Sequence, residues 1–252
     1  MLRADQLLVE RGLAASRTQA QRMIRNQQVQ VREAAQWQLL SKPGQKLAPD
    51  CEFQITQSLE DRFVSRGALK LLGALEKTAL DVTAMVALDV GQSTGGFTDC
   101  LLQAGVACVV GIEVGHDQLA MSLRQDPRVI CYEGMNARNL SPELKQHCRQ
   151  PEGFDLAVMD VSFISQTLIL PSLAPLLAPG ARLISLVKPQ FEVGKEGIGR
   201  GGLVRDASLY PQVQSTITNT CADVGLEVED YFESPITGGD GNREFLLIAR
   251  KT

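Results

Sequence analysis

The sequence predicts an α/β protein built on a doubly wound, mainly parallel sheet with an antiparallel last strand, preceded by a small α+β domain. Three observations predict it. From Val86 onward, short apolar strand-like runs alternate with helical patterns, which is the rhythm of a parallel sheet covered on both faces. The last two strand-like runs are joined by "SPITGGDGN", a hairpin connection, so the final strand turns back. The first 58 residues follow a different pattern and carry a net charge of +3, against −7 for the remainder.

In order along the chain, residues 4–11 read as a short helix that Gly12 closes in the left-handed C-cap conformation. Ser16 and Gln19 make a capping box for a second helix over 17–26. Ala20, Met23, Ile24 and Gln27 share one face of it, and Arg17, Arg22 and Arg25 gather on the other. The stretch "VQVREAAQWQLLSKPGQKLAPDCEFQI" then reads as short alternating strands with a "KPG" turn. This 1–58 module presents arginines that suit a phosphate backbone as well as they suit solvent.

Residues 59–70 read as a linker running into a helix that continues through "LLGALEKTAL". The larger domain, 71–252, begins its alternation with strand 86–90, helix 96–104, strand 107–113 and helix 116–125. Strand 129–132 and a polar stretch follow, then strand 155–160, helix 168–177 and strand 182–187. A glycine-rich loop leads to helix 208–224 and to strands 226–233 and 243–250.

A composition of 44% hydrophobic and 21% charged residues is that of an ordinary globular protein with a core of useful size. The six cysteines form no C-x-x-C pair, and several sit in apolar strand-like or helical runs, as buried reduced thiols would. His116 and His147 have no partners at metal-ligand spacing, so no metal is expected. The start "MLRADQLLVERG" lacks the apolar run of a secretory signal. Residues 161–181 are uncharged and long enough to span a bilayer, but Pro171, Pro175, Pro179 and Gln166 interrupt them. They are predicted to be a buried strand end, helix and turn, and the protein is expected to be cytoplasmic without membrane partners.

The stretch "ALDVGQSTGGFTDCLL" at 87–102 ends an apolar run in an aspartate, turns through three glycines and enters a helix. A triphosphate P-loop would need Lys followed by Ser/Thr after its second glycine, and none is there. A dinucleotide loop would be G-x-G-x-x-G, whereas this one is G-x-x-x-G-G. S-adenosylmethionine carries no phosphate, and its zwitterionic end needs backbone amides, carbonyls and an acid at close approach. Asp89, Gly91, Ser93 and Gly95 suit that role. Glu113 ends the second strand, 22 residues after Gly91, where an acid accepts ribose hydroxyls, a feature shared with nicotinamide dinucleotides. Met135 and Asn136, after the third strand, fall where an adenine would lie.

Four charged residues stand at strand ends or beside the sheet: Lys70, Asp160 in "MDVSF", Lys188 in "LVKPQF" and Glu244 in "GNREFLLI". Two cations and two anions form a neutral set that can be partly desolvated. The segments "SRGALKL", "LDVGQSTGGFTDCLL", "MDVSFIS", "LVKPQF", "GGLVRD" and "SPITGGDGNREFLL" resemble the hemolysin-A (TlyA) type of RNA methyltransferase. That family joins a small ribosomal-protein-type RNA-binding module to an FtsJ-like, Rossmann-like methyltransferase domain. The N-terminal match departs at Gln27, where the module usually has glycine, and at "REAAQW", which replaces an Asn-Gly turn.

The resemblance implies S-adenosylmethionine-dependent 2′-O-methylation of RNA ribose, on ribosomal RNA and at cytidine. Its Lys-Asp-Lys-Glu tetrad carries over to Lys70, Asp160, Lys188 and Glu244, with Asp160 also beside the cofactor. Lys188 would act as base or as orienter of the hydroxyl, Asp160 and Glu244 would position it, and Lys70 would assist. Arg17, Arg22, Arg25 and Arg66, with Lys195, Arg200 and Arg205 of the glycine-rich loop 189–206, would contact RNA. The rivals are a nicotinamide oxidoreductase, disfavoured by the loop spacing, and a base methylase, which would carry Asn/Asp-Pro-Pro-Tyr where this chain has "DVSF". A membrane-active hemolysin and an RNA-binding protein on an inactive methyltransferase fold complete the set.

Overall fold

The computed structural model describes the chain except for Ala15, Ala34, Gln57 and Ser58. It divides into two compact units, Met1–Arg62 and Phe63–Thr252. The expected boundary at residue 58 lies outside the described residues.

The first unit opens with β1 (Leu2–Arg3), α1 (Ala4–Glu10) and α2 (Arg17–Arg25). Ser16 caps α2, its Oγ accepting a hydrogen bond from the Gln19 amide at 3.2 Å. Ala20, Met23 and Ile24 pack with Leu7, Leu8 and Val29 in this unit's core. Gln27, expected on the same face, is exposed instead. The helix has ended at Arg25, and Gln27 turns to φ +58. β2 (Val29–Glu33), β3 (Gln36–Leu39), β4 (Lys46–Leu47) and β5 (Phe53–Ile55) follow. β1 pairs with β4, and β2 lies between β3 and β5, all antiparallel. Ala35, in the β2–β3 turn, stands at φ +68. The two departures from the expected glycine pattern thus both fall on left-handed backbone, where a side chain is disfavoured but not excluded.

The second unit begins with α3 (Ala68–Thr78), β6 (Val86–Val90), α4 (Gly96–Gln103) and β7 (Cys108–Glu113). Next come α5 (Met121–Arg124), β8 (Val129–Glu133), β9 (Phe154–Met159) and α6 (Leu170–Leu173). β10 (Leu177–Val187), α7 (Leu209–Asp223), β11 (Leu226–Glu233) and β12 (Phe245–Lys251) close it. The sheet order is β11-β12-β10-β9-β6-β7-β8, with β12 antiparallel to both its neighbours and the other pairs parallel. Every residue of β6 is buried, as a central parallel strand requires. Leu88 and Val90 face the cluster that includes Leu173 and Ile217, while Ala87 faces the one that includes Leu71 and Leu101. Strand order reverses between β6 and β9, and an open sheet of this kind binds ligands outside the strand ends at that switch.

Three expectations are corrected. Residues 63–70 are not linker: Phe63 and Ala68 are buried in the second unit's core, and the Val64 amide donates to Asp99 at 2.8 Å. The helix over 116–125 shrinks to Met121–Arg124, because Asp117 adopts φ +56 and gives its amide to Glu133 at 2.9 Å. The helix over 168–177 breaks into single turns at Pro171 and Pro175, which supply no amide to continue it, and Leu177 already begins β10. Among the described residues no helix is long and apolar enough to cross a membrane.

Candidate active site

The loops that follow β6, β9 and β10 converge above the switch between β6 and β9. A cavity of about 500 Å³ opens there, lined by Gly91, Glu113, Val114, Met135, Asn136 and Asp160, among others. A smaller hollow shares Gly91, Ser93, Asp160 and Ser162 with it and adds Ser65, Gly67 and Lys188. Gly91 makes this meeting possible. It stands at φ +86, and a Cβ there would overlap the backbone of Asp160. Gly95 is at φ +94, where a Cβ would collide with Leu119 and Leu123, so it fits the chain onto its own core and does not line the cavity.

Glu113 is nearly buried. Its two carboxylate oxygens accept the amides of Ser93 and Gly115, each at 2.8 Å. One acid thereby fixes the glycine loop and the turn after β7, and each oxygen retains a lone pair for a further donor. Asn136 spends its Oδ1 on the Arg138 amide at 3.0 Å. Asp89 does not line the cavity: it is fully buried beneath the loop and accepts the Thr98 hydroxyl at 2.6 Å. Gln92 donates to the same hydroxyl oxygen at 2.9 Å. Burial pushes the Asp89 carboxyl up to about 7, with the Thr98 bond opposing the shift and the charge of Asp160 adding to it.

The four tetrad positions form two close pairs. Lys188 Nζ lies 2.6 Å from Asp160 Oδ1, and it donates a hydrogen bond to Ser162 Oγ at 2.9 Å. Lys70 Nζ donates to Glu244 Oε2 at 2.6 Å, both side chains being buried. Strand register brings the pairs to one edge of the sheet. Val187 pairs with Phe245, so Lys188 and Glu244 leave adjacent strands side by side. Asp160 immediately follows the last residue of β9, the next strand over, and Lys70 projects from the first turn of α3, which packs against β10.

Residues that the sequence left unmarked tie the β9 and β10 loops together. Glu192 accepts Ser165 Oγ at 2.6 Å and the Gln166 amide at 2.9 Å, and burial raises its carboxyl above the usual range. Gln166, buried, donates to the Leu186 carbonyl at 2.6 Å and accepts from Ser185 at 2.7 Å. Phe163 lines the cavity at φ +64, is 90% exposed, and meets Phe191 at a ring distance of 5.0 Å. An exposed aromatic on left-handed backbone at a cavity mouth is a functional signal that an uncharged run conceals in the sequence.

Not all the predicted RNA contacts are equal. Arg17 pairs with the buried Asp5 at 3.1 Å and Arg22 with Asp61 at 3.0 Å, while Arg25 is exposed. The hydrogen bond from Arg3, with those of Gln21 and Arg17, holds the Asp5 carboxyl well below the usual range against the effect of its burial. Arg66, Lys195, Arg200 and Arg205 are exposed on the second unit.

This fold and donor set have a counterpart among known proteins. The FtsJ-like methyltransferase family pattern matches residues 63–251, and the S4 domain pattern matches residues 2–31. The chain belongs to the FtsJ-like methyltransferase family. It is 41% identical over 98% of its length to the 16S/23S rRNA (cytidine-2′-O)-methyltransferase TlyA of Mycobacterium tuberculosis, covering 89% of that protein. It is 33% identical to Hemolysin A of Brachyspira hyodysenteriae, over 97% of this chain and 98% of that one. A solved structure from Streptococcus thermophilus that also carries the hemolysin name is 41% identical, with a TM-score of 0.73 over 99% of this chain and 88% of the other. An FtsJ-like domain joined to an S4 domain accounts for both units of the fold.

Proposed function

We propose that this FtsJ-like methyltransferase transfers a methyl group from S-adenosylmethionine to a ribose 2′-hydroxyl of ribosomal RNA, with cytidine ribose as the target. The observation that carries the proposal is the meeting of two lysine–carboxylate pairs with an adenosine-sized cavity at one sheet edge. The cavity fits the donor. Glu113 offers lone pairs to a ribose diol, Met135 and Ile112 offer apolar surface to a base, and the approach permitted by Gly91 brings backbone polar groups to the amino-acid end. Once bound, the donor supplies an electrophilic methyl on a sulfonium.

The chain's own residues prepare the nucleophile. A ribose hydroxyl attacks only as its proton is withdrawn and its oxygen is held in line with the methyl. Lys188 is the residue to do this, as base or as the cation that orients the oxygen. Asp160 and Ser162 fix where its Nζ points. Lys70 and Glu244 form the second wall, and Lys70 assists at the hydroxyl or the adjoining phosphate. Phe163 offers an exposed ring on which the base of the target nucleotide stacks. The first unit, 1–62, contributes RNA affinity through the arginines of α2, and such a substrate places the work in the cytosol.

The test is to map ribose methylation across ribosomal RNA from cells with and without the gene. A 2′-O-methyl site that disappears supports the proposal and names the nucleotide. Identical maps would refute it.

A further inference from the structure

The glycine-rich segment after Lys188 folds as a small closed hairpin. Ile198 bridges Val204, the Gly199 amide donates to the Leu203 carbonyl at 2.7 Å, and the Arg205 amide donates to the Gly197 carbonyl at 2.8 Å. Gly201 and Gly202 turn its tip at φ +76 and +79 with open space around them, so they serve the turn rather than the packing. Arg200 and Arg205 are exposed on it.

One side chain from another part of the chain grips this hairpin. Asn242 is only 3% exposed, and both ends of its amide are used. Its Oδ1 accepts the Val204 amide at 3.1 Å, and its Nδ2 donates to the Gly202 carbonyl at 3.1 Å. Asn242 lies two residues before Glu244, and its own carbonyl accepts the Gly238 amide at 3.0 Å. Gly238 in turn lies against Glu244: a Cβ there would come within 2.6 Å of Oε1. A continuous chain of contacts therefore runs from the hairpin through Asn242 and Gly238 to Glu244, and from there to Lys70 at 2.6 Å.

We propose that Asn242 is a positioning residue that couples the 197–205 hairpin to the Glu244–Lys70 pair, so that RNA gripped by Arg200 and Arg205 sets the active geometry of that pair. The inference rests on the proposed 2′-O-methylation. Physically, an exposed cationic hairpin gains phosphate contacts only when RNA is in place. Because Asn242 ties it by two bonds to the turn that cradles Glu244, the order gained on binding reaches the reacting edge.

The experiment uses the full chain with S-adenosylmethionine and with 30S and 50S ribosomal subunits from cells lacking the gene. It compares wild type, Asn242→Ala, Asn242→Asp, the pair Arg200→Ala/Arg205→Ala, and the combination of Asn242→Ala with that pair. Single-turnover rate, donor affinity and melting temperature are measured for each. Expected is a tenfold or greater loss of rate for Asn242→Ala with donor affinity within twofold, and a smaller loss for Asn242→Asp, which keeps the bond to Val204. The combined variant should lose no more than its more impaired parent. A wild-type rate for Asn242→Ala, or losses that multiply in the combination, would overturn the coupling. If Asn242→Ala does not fold, a wild-type rate for Asn242→Asp overturns it equally. Wild-type protein inactive on both subunits would overturn the proposed function with it, whereas active wild type beside unaffected variants removes the coupling alone.

Discussion

Lys188 Nζ lies 2.6 Å from Asp160 Oδ1, at the ends of two neighbouring parallel strands. The β9 and β10 loops are stitched together a few residues further on by Glu192 and by the Phe163–Phe191 contact. The Lys188–Asp160 pair therefore sits just beyond two strand ends whose following loops are tied to each other.

The Lys70–Glu244 pair is buried, so the two partners are unequal to their absence. Glu244→Ala leaves a buried ammonium without its carboxylate and is expected to cost about 3–5 kcal/mol. Lys70→Met combined with Glu244→Leu removes both charges and should cost clearly less, while activity is lost in both proteins. Urea denaturation beside a methylation assay reads both quantities.

Glu113 lines the cavity while holding two backbone amides, and in the proposed function it accepts the donor's ribose hydroxyls. Glu113→Ala should weaken S-adenosylmethionine binding by tenfold or more, measured by calorimetry. The oxygen-bearing Glu113→Gln should retain part of the affinity, because it keeps one acceptor.

Asp89 predicts a pH dependence of stability. Its carboxyl is raised to about 7 in the folded chain, chiefly by burial, from the ordinary 3.8. Below 3.8 folded and unfolded chains both hold the proton; between there and 7 only the folded one does. Its contribution to stability is thus fully present at low pH and is lost as pH rises through 7. Asp89→Asn cannot ionise, so the wild-type minus variant difference in urea midpoint should fall as pH rises from about 4 to about 7 and level off above that. A constant difference would show that the buried carboxyl does not titrate there.

Phe163 is 90% exposed, so Phe163→Ala should leave the melting temperature within a degree or so of wild type, since little packing is lost. If its ring stacks on the target base, kcat/KM for ribosomal subunits should fall by about tenfold or more, since such stacking is worth about 1–3 kcal/mol. Phe163→Tyr should restore most of it.

Much of the fold could be read before the structure, and the reasons are local. Strands 86–90 and 226–233 have the bounds that their apolar runs and flanking glycines predict. Asp160, Lys188 and Glu244 stood out because strand ends punctuate an alternating pattern, whereas grouping them with Lys70, which lies on a helix, rested on the family resemblance. The failures are tertiary. Asp117 leaves the helical region to reach Glu133, which lies 16 residues away. Asp89 and Gly95 looked like cavity residues, yet one is covered by Thr98 and the other by Leu119 and Leu123. Phe163 lay hidden in a run whose apolar character suggested burial. Asn242 works through Val204 and Gly202, 38 and 40 residues earlier, a pairing no local pattern encodes.

The most direct test of the central claim is methyl transfer by purified wild-type and Lys188→Ala protein to ribosomal subunits from cells lacking the gene, followed by mapping of ribose methylation. The account predicts one or more new 2′-O-methyl sites with wild type. It also predicts a loss of at least a hundredfold in rate for Lys188→Ala, with S-adenosylmethionine affinity retained. Equal rates for the two proteins, or a methyl group found on a base, would contradict it.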